Sequence, residues 1–242
     1  MNRRVVVEVT IPVYNEEAVL VKQINKLVNH LAKHDEIMWR IVIADNGSTD
    51  KTGEIARDMS KADSRISLRE IKAKGRGYAL RDSWLNSKSD VVCYIDVDFS
   101  TDLNDLTELI GMVAMDRSDI AYGSRLSRDS KTTRSVFREV LSRGYNLLVK
   151  MILGVRFKDA QCGFKALSLS AAHDLVPDVR DNKWFFDTEL LYLAEKRGYR
   201  LGEVPVTWVE GRESKVRILR TVLDYFINLV KLRVRGFDKA CR

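Results

Sequence analysis

The chain has 242 residues, a formal net charge of +7 at pH 7, 45% hydrophobic residues and 31% charged residues. This length fits one large domain, or one domain with an appendage, and the composition fits a soluble protein with an extensive core. The three cysteines are far apart and form no CxxC pair, which argues against a disulfide framework or a zinc site and favours a reducing compartment. Because no apolar run reaches about 18 residues, we predict no transmembrane helix, and we interpret the N-terminus as a first strand and not as a signal peptide.

Strands and helical segments alternate along the first half of the chain. The predicted strands are 5–11, 40–44, 66–71, 91–95 and 120–122, and the predicted helices are 17–33, 51–60, 77–86 and 103–115. Strands separated by helices of this length indicate an α/β fold, with a mostly parallel sheet and helices on both of its faces. Such sheets bind their ligands at the carboxyl ends of the strands.

The second half of the chain is less regular and becomes basic at its end. Its predicted elements are helices 136–153 and 184–197, a short strand 164–169, a strand pair within 199–209 around Pro205, and one or two basic amphipathic helices within 216–234. After residue 210 there are nine lysines and arginines against three aspartates and glutamates. We therefore predict a main domain, 1–210, followed by a basic amphipathic segment, 211–242. That segment either packs on the core or lies in a membrane interface with its cations toward anionic head groups.

Two aspartates, Asp96 and Asp98, follow the apolar strand 91–95. Residues i and i+2 of an extended segment point the same way, so both carboxylates can converge on one hard divalent cation such as Mg2+ or Mn2+. Such a cation can in turn hold a diphosphate. An Asp-x-Asp pair also arises in ordinary turns, so this interpretation depends on residues elsewhere in the chain.

Polar residues also follow the first two predicted strands. Tyr14 can lie against a nucleobase, and Glu16 can accept hydrogen bonds from a base or ribose, or can simply stabilise the start of the next helix. The string 46–50 is explained by a tight turn and a helix cap, whereas Asp45 precedes both and is a candidate acceptor for a base N–H. The basic, glycine-rich segment 72–78, which contains Lys74, suits a phosphate at a helix N-terminus or forms a solvated loop.

Seven strings of the sequence occur together in an order that resembles family 2 glycosyltransferases of the GT-A fold. They are IPVYNEE, ADNGSTD, KGRGYAL, DVDFSTD, GSR, QCGFKALS and WFFDTELLYLAEKRGYRLGEVPVTWVE, the last followed by ESK. More narrowly, the chain resembles the dolichyl-phosphate hexosyltransferases over about residues 5–215. QCGFK and WFFDTELLYLAEK are most similar to the glucosyltransferase branch, whereas GSR, LSRGYN and EVPV are shared with the mannose synthases. The resemblance implies a Rossmann-like GT-A domain that moves one sugar from a nucleotide diphosphate sugar to a polyprenyl phosphate with the help of a divalent metal.

The resemblance also implies roles for individual residues. Asp96 and Asp98 would face the metal and the donor diphosphate, with Asp98 counted among the catalytic residues. The remaining donor contacts would be Pro12, Tyr14, Glu16, Asp45, Lys74 and Gln161. The acceptor phosphate would meet Arg125 of GSR, Arg143 of LSRGYN, and Lys215. Asp187 of WFFD would be an active-site carboxylate, for which we predict recognition of a sugar hydroxyl.

One position departs from the mannose synthases, which resemble DADLQ at the metal site. This chain has Ser100 where they have glutamine, and a hydroxyl is a weaker metal ligand than a carboxamide oxygen. This departure argues against a strict mannose synthase. The resemblance to the glucosyltransferase branch implies UDP-glucose as the first choice of donor and GDP-mannose as the second. A phosphate acceptor is already anionic at neutral pH, because its second pKa is about 6, and needs no general base. A single in-line displacement would invert the anomeric centre.

Two alternatives stay open. One is a family 2 transferase that acts on a sugar hydroxyl of a glycan or soluble acceptor and uses Asp187 as its base. The other is a nucleic-acid-binding protein with a basic tail, against which stand the nearly neutral main domain and the lack of a nucleic-acid motif. A polyprenyl chain does not readily leave the bilayer, so we expect a peripheral protein on the cytoplasmic face of a membrane, alone or with an integral-membrane partner.

Overall fold

Strands and helices alternate through the described part of the computed structural model, which comprises residues 3–210 and 218–236. The first half contains β1 (Val5–Val13), α1 (Leu20–Leu31), β2 (Ile37–Asp45), α2 (Thr52–Ala62), β3 (Ile66–Glu70), α3 (Arg76–Leu85), β4 (Val91–Ile95), α4 (Leu103–Ala114) and β5 (Ile120–Ser124). The second half contains β6 (Lys131–Thr133), α5 (Val136–Leu153), β7 (Phe164–Ser168), α6 (Leu169–Leu175), a 3-10 turn (Val176–Asp178), α7 (Phe186–Lys196), β8 (Leu201–Pro205), β9 (Thr207–Val209) and α8 (Ile218–Arg235).

Seven of these strands form one sheet in the order β3-β2-β1-β4-β7-β5-β8. All neighbours are parallel except β7, which runs antiparallel between β4 and β5. The predicted α/β fold with a mostly parallel sheet is confirmed. Because Phe164 of β7 pairs with Ile95 of β4, the chain enters β7 beside the point where it leaves β4. This register places Gly163 next to Asp96.

The two faces of the sheet bury separate cores because side chains alternate along each strand. On β4, Cys93 and Ile95 belong to the core covered by α1 and α4, whereas Val92 and Tyr94 belong to the core covered by α3 and α7. Cys93 is a small residue of the first of these cores and is completely buried.

The strands and helices predicted for the first half are all present, with ends that differ by a few residues. Neither β6 nor α6 is predicted from the sequence, because both are short. The predicted strand pair around Pro205 divides between two sheets, since β8 pairs with β5 whereas β9 pairs with β6. Pro205 has no N–H with which to continue the first ladder.

The C-terminal helix α8 packs on the main domain. Leu229 and Leu232 are buried in the same core as Leu190 of α7, and the ring of Tyr225 lies 5.1 Å from that of Tyr145 on α5. A single helix therefore occupies 218–235, where the sequence predicts one or two, and one of its sides packs on the core. None of the helices in the described ranges is both long and apolar enough to cross a bilayer.

Candidate active site

A cleft opens at the carboxyl end of β4. Its lining includes Asp96, Asp98, Arg125, Gln161 and Trp208, which come from four separate segments of the chain. The structure thus brings together four of the predicted site residues, which are Asp96, Asp98, Arg125 and Gln161. It also agrees with the rule that parallel sheets bind ligands at their carboxyl edge.

Asp96 is held on two sides. The side chain of Arg76 donates from Nη1 to both of its oxygens, at 3.3 and 3.4 Å. On the other side Gly163 comes so close that an ideal Cβ there would lie 1.9 Å from Asp96 Oδ2. Desolvation raises the pKa of Asp96, and the carboxylates of Asp98 and Asp187 add to this rise, while Arg76 opposes it.

Asp98 is exposed at the mouth of the cleft, and Ser100 fixes it. The backbone N–H and the hydroxyl of Ser100 donate to the Asp98 carboxylate at 3.0 and 2.9 Å. Between them, Phe99 adopts a φ of +47°, a left-handed conformation that is uncommon for an aromatic residue and turns the chain sharply. Ser100 therefore orients the Asp98 carboxylate in this structure, and that it is not itself a metal ligand stays a prediction.

The carboxylates of Asp96 and Asp98 fit a divalent cation that a substrate binds at the same time. Within residues 3–210 and 218–236, no cluster of three or more His, Cys, Asp or Glu side chains is placed to hold a metal. Mg2+ commonly binds through one or two carboxylates together with substrate phosphates and water, so it does not require such a cluster. Asp96 and Asp98 in one open cleft meet that requirement.

Arg76 and Asp187 form a buried ion pair beneath the cleft. Arg76 is absent from the residues predicted for the site, although KGRGYAL contains it. Its guanidinium lies 4.5 Å from the ring centroid of Trp184. Burial alone would lower the pKa of Arg76, but the nearby carboxylates of Asp187 and Asp96 raise it. Asp187 has no exposed surface and also contacts Tyr94 and Lys165, so it lies under the cleft and not in its lining.

Arg125 lines the cleft while paired with a buried partner. Its Nε and Nη2 atoms donate to the two oxygens of Asp159 at 2.8 and 2.9 Å, and its backbone N–H donates to the same carboxylate. Burial would raise the pKa of Asp159, but the contacts with Arg125 hold it at about 2. Asp159 was not predicted as a site residue. This fork-like pairing fixes the orientation of the Arg125 guanidinium.

Gln161 joins the cleft to the C-terminal helix. Its side-chain N–H donates to Thr188 Oγ1 at 2.6 Å, and its side-chain oxygen accepts from the hydroxyl of Tyr225 at 3.1 Å. The neighbouring Cys162 is buried, and burial raises the pKa of its thiol to about 12.

The predicted nucleoside contacts lie along the carboxyl edge of β1 and β2. Lys74 donates from Nζ to the hydroxyl of Tyr14 at 2.6 Å. Asp45, paired with Val13 at the strand ends, accepts from the N–H and the hydroxyl of Ser48 through Oδ1. Asp45 therefore does hold the following turn, and the interpretation that set it apart from that turn is wrong. Its contact with a base stays a prediction.

Two further predicted contacts, Pro12 and Glu16, belong to the same edge. Pro12 lies within β1 and pairs with Ala44 of β2. The backbone N–H of Glu16 donates to Thr52 Oγ1 at 2.8 Å, and its carbonyl accepts from Leu20 at the start of α1. The backbone of Glu16 thus ties β1 to the first two helices, and a role for its side chain stays a prediction.

The structure does not bring all three predicted acceptor-phosphate residues to the cleft. Arg143 is on the exposed side of α5, where it pairs with Glu139, and it is not among the residues that line the cleft. Lys215 lies outside the described residues.

The sequence model described as glycosyl transferase family 2 matches residues 8–176. The chain belongs to this family. It is therefore a glycosyltransferase, as the order of the sequence motifs predicts.

Two individual relatives have names that are more specific than the description of the family. The chain is 37% identical to the glycosyltransferase AglD of Haloferax volcanii over 90% of its own length, although it spans only 35% of AglD. It is 31% identical to the dolichyl-phosphate beta-glucosyltransferase ALG5C of Trichomonas vaginalis, over 93% of this chain and 69% of that protein. The predicted resemblance to dolichyl-phosphate hexosyltransferases is thereby confirmed.

A solved structure shares the fold. Glucosyl-3-phosphoglycerate synthase from Mycobacterium tuberculosis, in complex with Mn2+, UDP and glucosyl-3-phosphoglycerate, superposes with a TM-score of 0.68. The match covers 94% of this chain and 81% of that one at 18% identity. At this identity the likeness establishes the fold alone, and it confirms the predicted GT-A fold.

Proposed function

We propose that this family 2 glycosyltransferase moves a hexose from a nucleotide diphosphate sugar to a polyprenyl phosphate. UDP-glucose is the first choice of donor and GDP-mannose the second. The observation that carries the proposal is the meeting of Asp96, Asp98 and Arg125 in one cleft, where two carboxylates and a guanidinium face the same space. The name of ALG5C, a dolichyl-phosphate beta-glucosyltransferase, supports both the sugar and the acceptor.

Asp96 and Asp98 would hold Mg2+ or Mn2+ together with the donor diphosphate. The cation would act as a Lewis acid that stabilises the charge of the departing nucleoside diphosphate. The presence of Mn2+ and UDP in the synthase with the same fold supports this assignment. Tyr14, Asp45 and Lys74 would bind the nucleoside end of the donor, and Pro12 and Glu16 would complete that side.

The acceptor needs to be oriented more than it needs to be deprotonated. A phosphate monoester carries at least one negative charge at neutral pH, so the chain has only to hold it in line with the anomeric carbon. Arg125, fixed by Asp159, is suited to bind phosphate oxygens, and Lys215 would supply further positive charge. In-line displacement inverts the anomeric centre, which agrees with the beta linkage in the name of ALG5C.

The burial of Asp187 argues against the alternative with a hydroxyl acceptor. A general base must come within hydrogen-bond distance of the proton that it removes. Asp187 has no exposed surface, and its oxygens already contact Arg76, Tyr94 and Lys165. A transferase of this geometry is better suited to an acceptor that arrives without its proton.

An apolar surface on α5 and α8 supports a membrane location for this reaction. On α5 the exposed side chains form one stripe: Val136, Val140, Leu147 and Met151, flanked by Phe137 and Leu148. On α8 a second stripe consists of Phe226, Val230 and Val234, flanked by Ile227. Arg143, Lys150, Lys231 and Arg233 are exposed beside these stripes. Apolar stripes with cationic neighbours are typical of helices that lie in a membrane interface.

The polyprenyl phosphate would then be reached from the membrane surface. We place the protein at the cytoplasmic face of a membrane, where nucleotide sugars are available, and an integral-membrane partner remains part of the proposal.

The proposal is tested by incubating the full chain with a polyprenyl phosphate, Mn2+ and each of UDP-glucose, GDP-mannose and UDP-galactose, followed by mass analysis of the lipid. We expect a hexosyl phosphate lipid with UDP-glucose as the best donor. The anomeric proton signal of the intact product, measured by NMR, should show a beta-linked glucosyl phosphate. Transfer to a soluble sugar, with no modified lipid under any condition, would contradict the proposal.

A further inference from the structure

Asp187 is the centre of a network of buried charges beneath the cleft. It pairs with two cations, Arg76 and Lys165, whose side chains are 6% and 0% exposed. Lys165 Nζ lies 3.0 Å from Asp187 Oδ1, and the hydroxyl of Tyr94 donates to the same oxygen. Buried charges are costly unless they are paired, so the positions of both cations depend on this one carboxylate.

The first branch of the network leads through Arg76 to Asp96. The guanidinium donates to Asp187 through Nη2 and to Asp96 through Nη1, so a single planar group spans both carboxylates. The ring centroids of Trp184 and Tyr94 lie 4.5 and 5.5 Å from its central carbon. These contacts leave the guanidinium one orientation, which sets where the Asp96 carboxylate lies.

The second branch leads through Lys165 to the opposite wall of the cleft. Lys165 Nζ donates to the carbonyl of Cys162 at 2.8 Å and to that of Ala160 at 3.4 Å. These carbonyls belong to the segment 160–163, which leads into β7. Two residues of this segment, Gln161 and Gly163, line the cleft. Asp187, by holding Lys165, thus also holds the segment that presses against Asp96.

From this arrangement we propose that Asp187 is a positioning residue for the binding of the metal and the donor diphosphate. Acting through Arg76 and Lys165, it places Asp96 and the segment 160–163 relative to each other. It transfers no proton and contacts no sugar. This inference rests on the proposed function and replaces the recognition of a sugar hydroxyl that the sequence analysis predicts for Asp187.

The decisive test measures binding without turnover. Mn2+ affinity in the presence of UDP is followed by the electron paramagnetic resonance signal of free Mn2+, and UDP affinity by calorimetry. For Asp187→Asn we expect Mn2+ affinity to fall by about 10- to 100-fold, the usual effect of losing a partner that orients a ligand. The remaining turnover should keep the wild-type pH profile. A base would give the opposite pattern: wild-type Mn2+ and UDP binding, lost turnover and a missing acidic limb of the pH profile.

Two further variants keep the test valid if Asp187→Asn does not fold. Arg76→Lys keeps the charge but lacks the fork that spans two carboxylates, and should weaken Mn2+ binding in a folded protein. The double variant Asp187→Asn/Lys165→Met removes the carboxylate together with one of the two cations that it pairs with. This variant should also weaken Mn2+ binding. Wild-type affinity for Mn2+ and UDP in whichever of these variants fold would overturn the inference.

The controls separate this inference from the proposed function. Asp174→Asn breaks an ion pair with Arg197, on a helix that contributes nothing to the cleft lining, and should leave Mn2+ binding unchanged. Asp98→Ala should abolish Mn2+ binding. A wild-type protein that binds neither UDP nor Mn2+ would contradict the proposed function itself, whereas insensitivity of the Asp187 and Arg76 variants alone would contradict only the positioning role.

Discussion

Tyr225 on the C-terminal helix donates a hydrogen bond to the side-chain oxygen of Gln161, across 3.1 Å. Gln161 lines the cleft, and its amide nitrogen is held at the same time by Thr188. The helix that carries one of the exposed apolar stripes is therefore connected to the cleft through the side chain of Gln161. Contact of α8 with a membrane would act on the same helix that orients Gln161.

The substitution Tyr225→Phe removes this hydrogen bond and keeps the ring. A hydrogen bond of this kind contributes about 1 kcal/mol, so we expect KM for the sugar donor to rise by about fivefold. Tyr199→Phe is the matched control, because its hydroxyl donates to Asp174 away from the cleft. Steady-state kinetics with varied donor check the expectation. Equal KM values in the two variants would show that Tyr225 does not orient Gln161.

The close approach of Gly163 to Asp96 predicts that Gly163→Ala disrupts the site. A Cβ at this position would lie 1.9 Å from Asp96 Oδ2, so the carboxylate has to move. We expect activity to fall by at least about 100-fold, since a misplacement of about 1 Å can have that effect. Gly111→Ala in α4 is the control, because its Cβ would meet nothing within 4 Å. That variant should be fully active and about 1 kcal/mol more stable. An active Gly163→Ala enzyme would show that Asp96 tolerates displacement.

The pair formed by Ser100 and Asp98 predicts a graded loss of metal response. Asp98→Ala should abolish stimulation by Mn2+, because it removes an exposed carboxylate of the cleft. Ser100→Ala removes only the hydroxyl donor and keeps the backbone donor, so Mn2+ affinity should fall by less than about tenfold. Titration of activity with Mn2+ measures both effects. Loss of metal response in Ser100→Ala, equal to that in Asp98→Ala, would instead mark Ser100 as a ligand.

The buried Glu8 predicts a specific pH dependence of stability. Burial raises the pKa of its carboxyl, while Ser87 and nearby arginines partly oppose the rise. The folded state therefore holds this proton more tightly than the unfolded state, and the free energy of unfolding falls as pH increases from about 4 through the raised pKa. We expect Glu8→Gln to be more stable than the wild type at pH 8, with a difference that shrinks toward pH 4. Urea unfolding at several pH values tests this, with Glu108→Gln at an exposed position of α4 as the control. A difference that stays constant with pH would contradict the assignment.

The apolar stripes on α5 and α8 predict binding to lipid vesicles. Met151→Gln and Val234→Gln replace side chains that are 71% and 81% exposed, so the fold should not change. We expect the double variant to bind vesicles of phosphatidylcholine and phosphatidylserine at least about tenfold more weakly. Met115→Gln is the control, because Met115 is 66% exposed but lies at the end of α4. Flotation on a density gradient measures binding, and equal binding of all three proteins would rule out these stripes as the membrane contact.

Much of this architecture is predictable from the sequence because it follows from local pattern. The alternation of apolar strands and amphipathic helices predicts the parallel part of the sheet, and Asp96 and Asp98 are adjacent in the chain as well as in the cleft. The antiparallel insertion of β7 between β4 and β5 leaves no such local signal, because strand order depends on pairing between distant segments.

The network beneath the cleft shows where prediction from sequence ends. Arg76 and Asp187 are 111 positions apart in the sequence. Arg76 belongs to the basic segment 72–78, where the sequence pattern favours Lys74 as the ligand-binding residue. Only the fold reveals that Arg76 points inward to two carboxylates whereas Lys74 meets Tyr14. The pairing of Arg125 with Asp159 is hidden for the same reason, although Arg125 belongs to the string GSR and Asp159 lies two residues before QCGFKALS.

The reversed direction of β7 has a consequence for how the enzyme is made. One wall of the cleft is the segment that follows β4, and the other is the segment that precedes β7. Asp187, through which we propose both are positioned, comes later in the sequence, in α7. A ribosome-bound chain that ends before α7 can already have paired its first strands, yet it lacks the anchor of its own catalytic pocket.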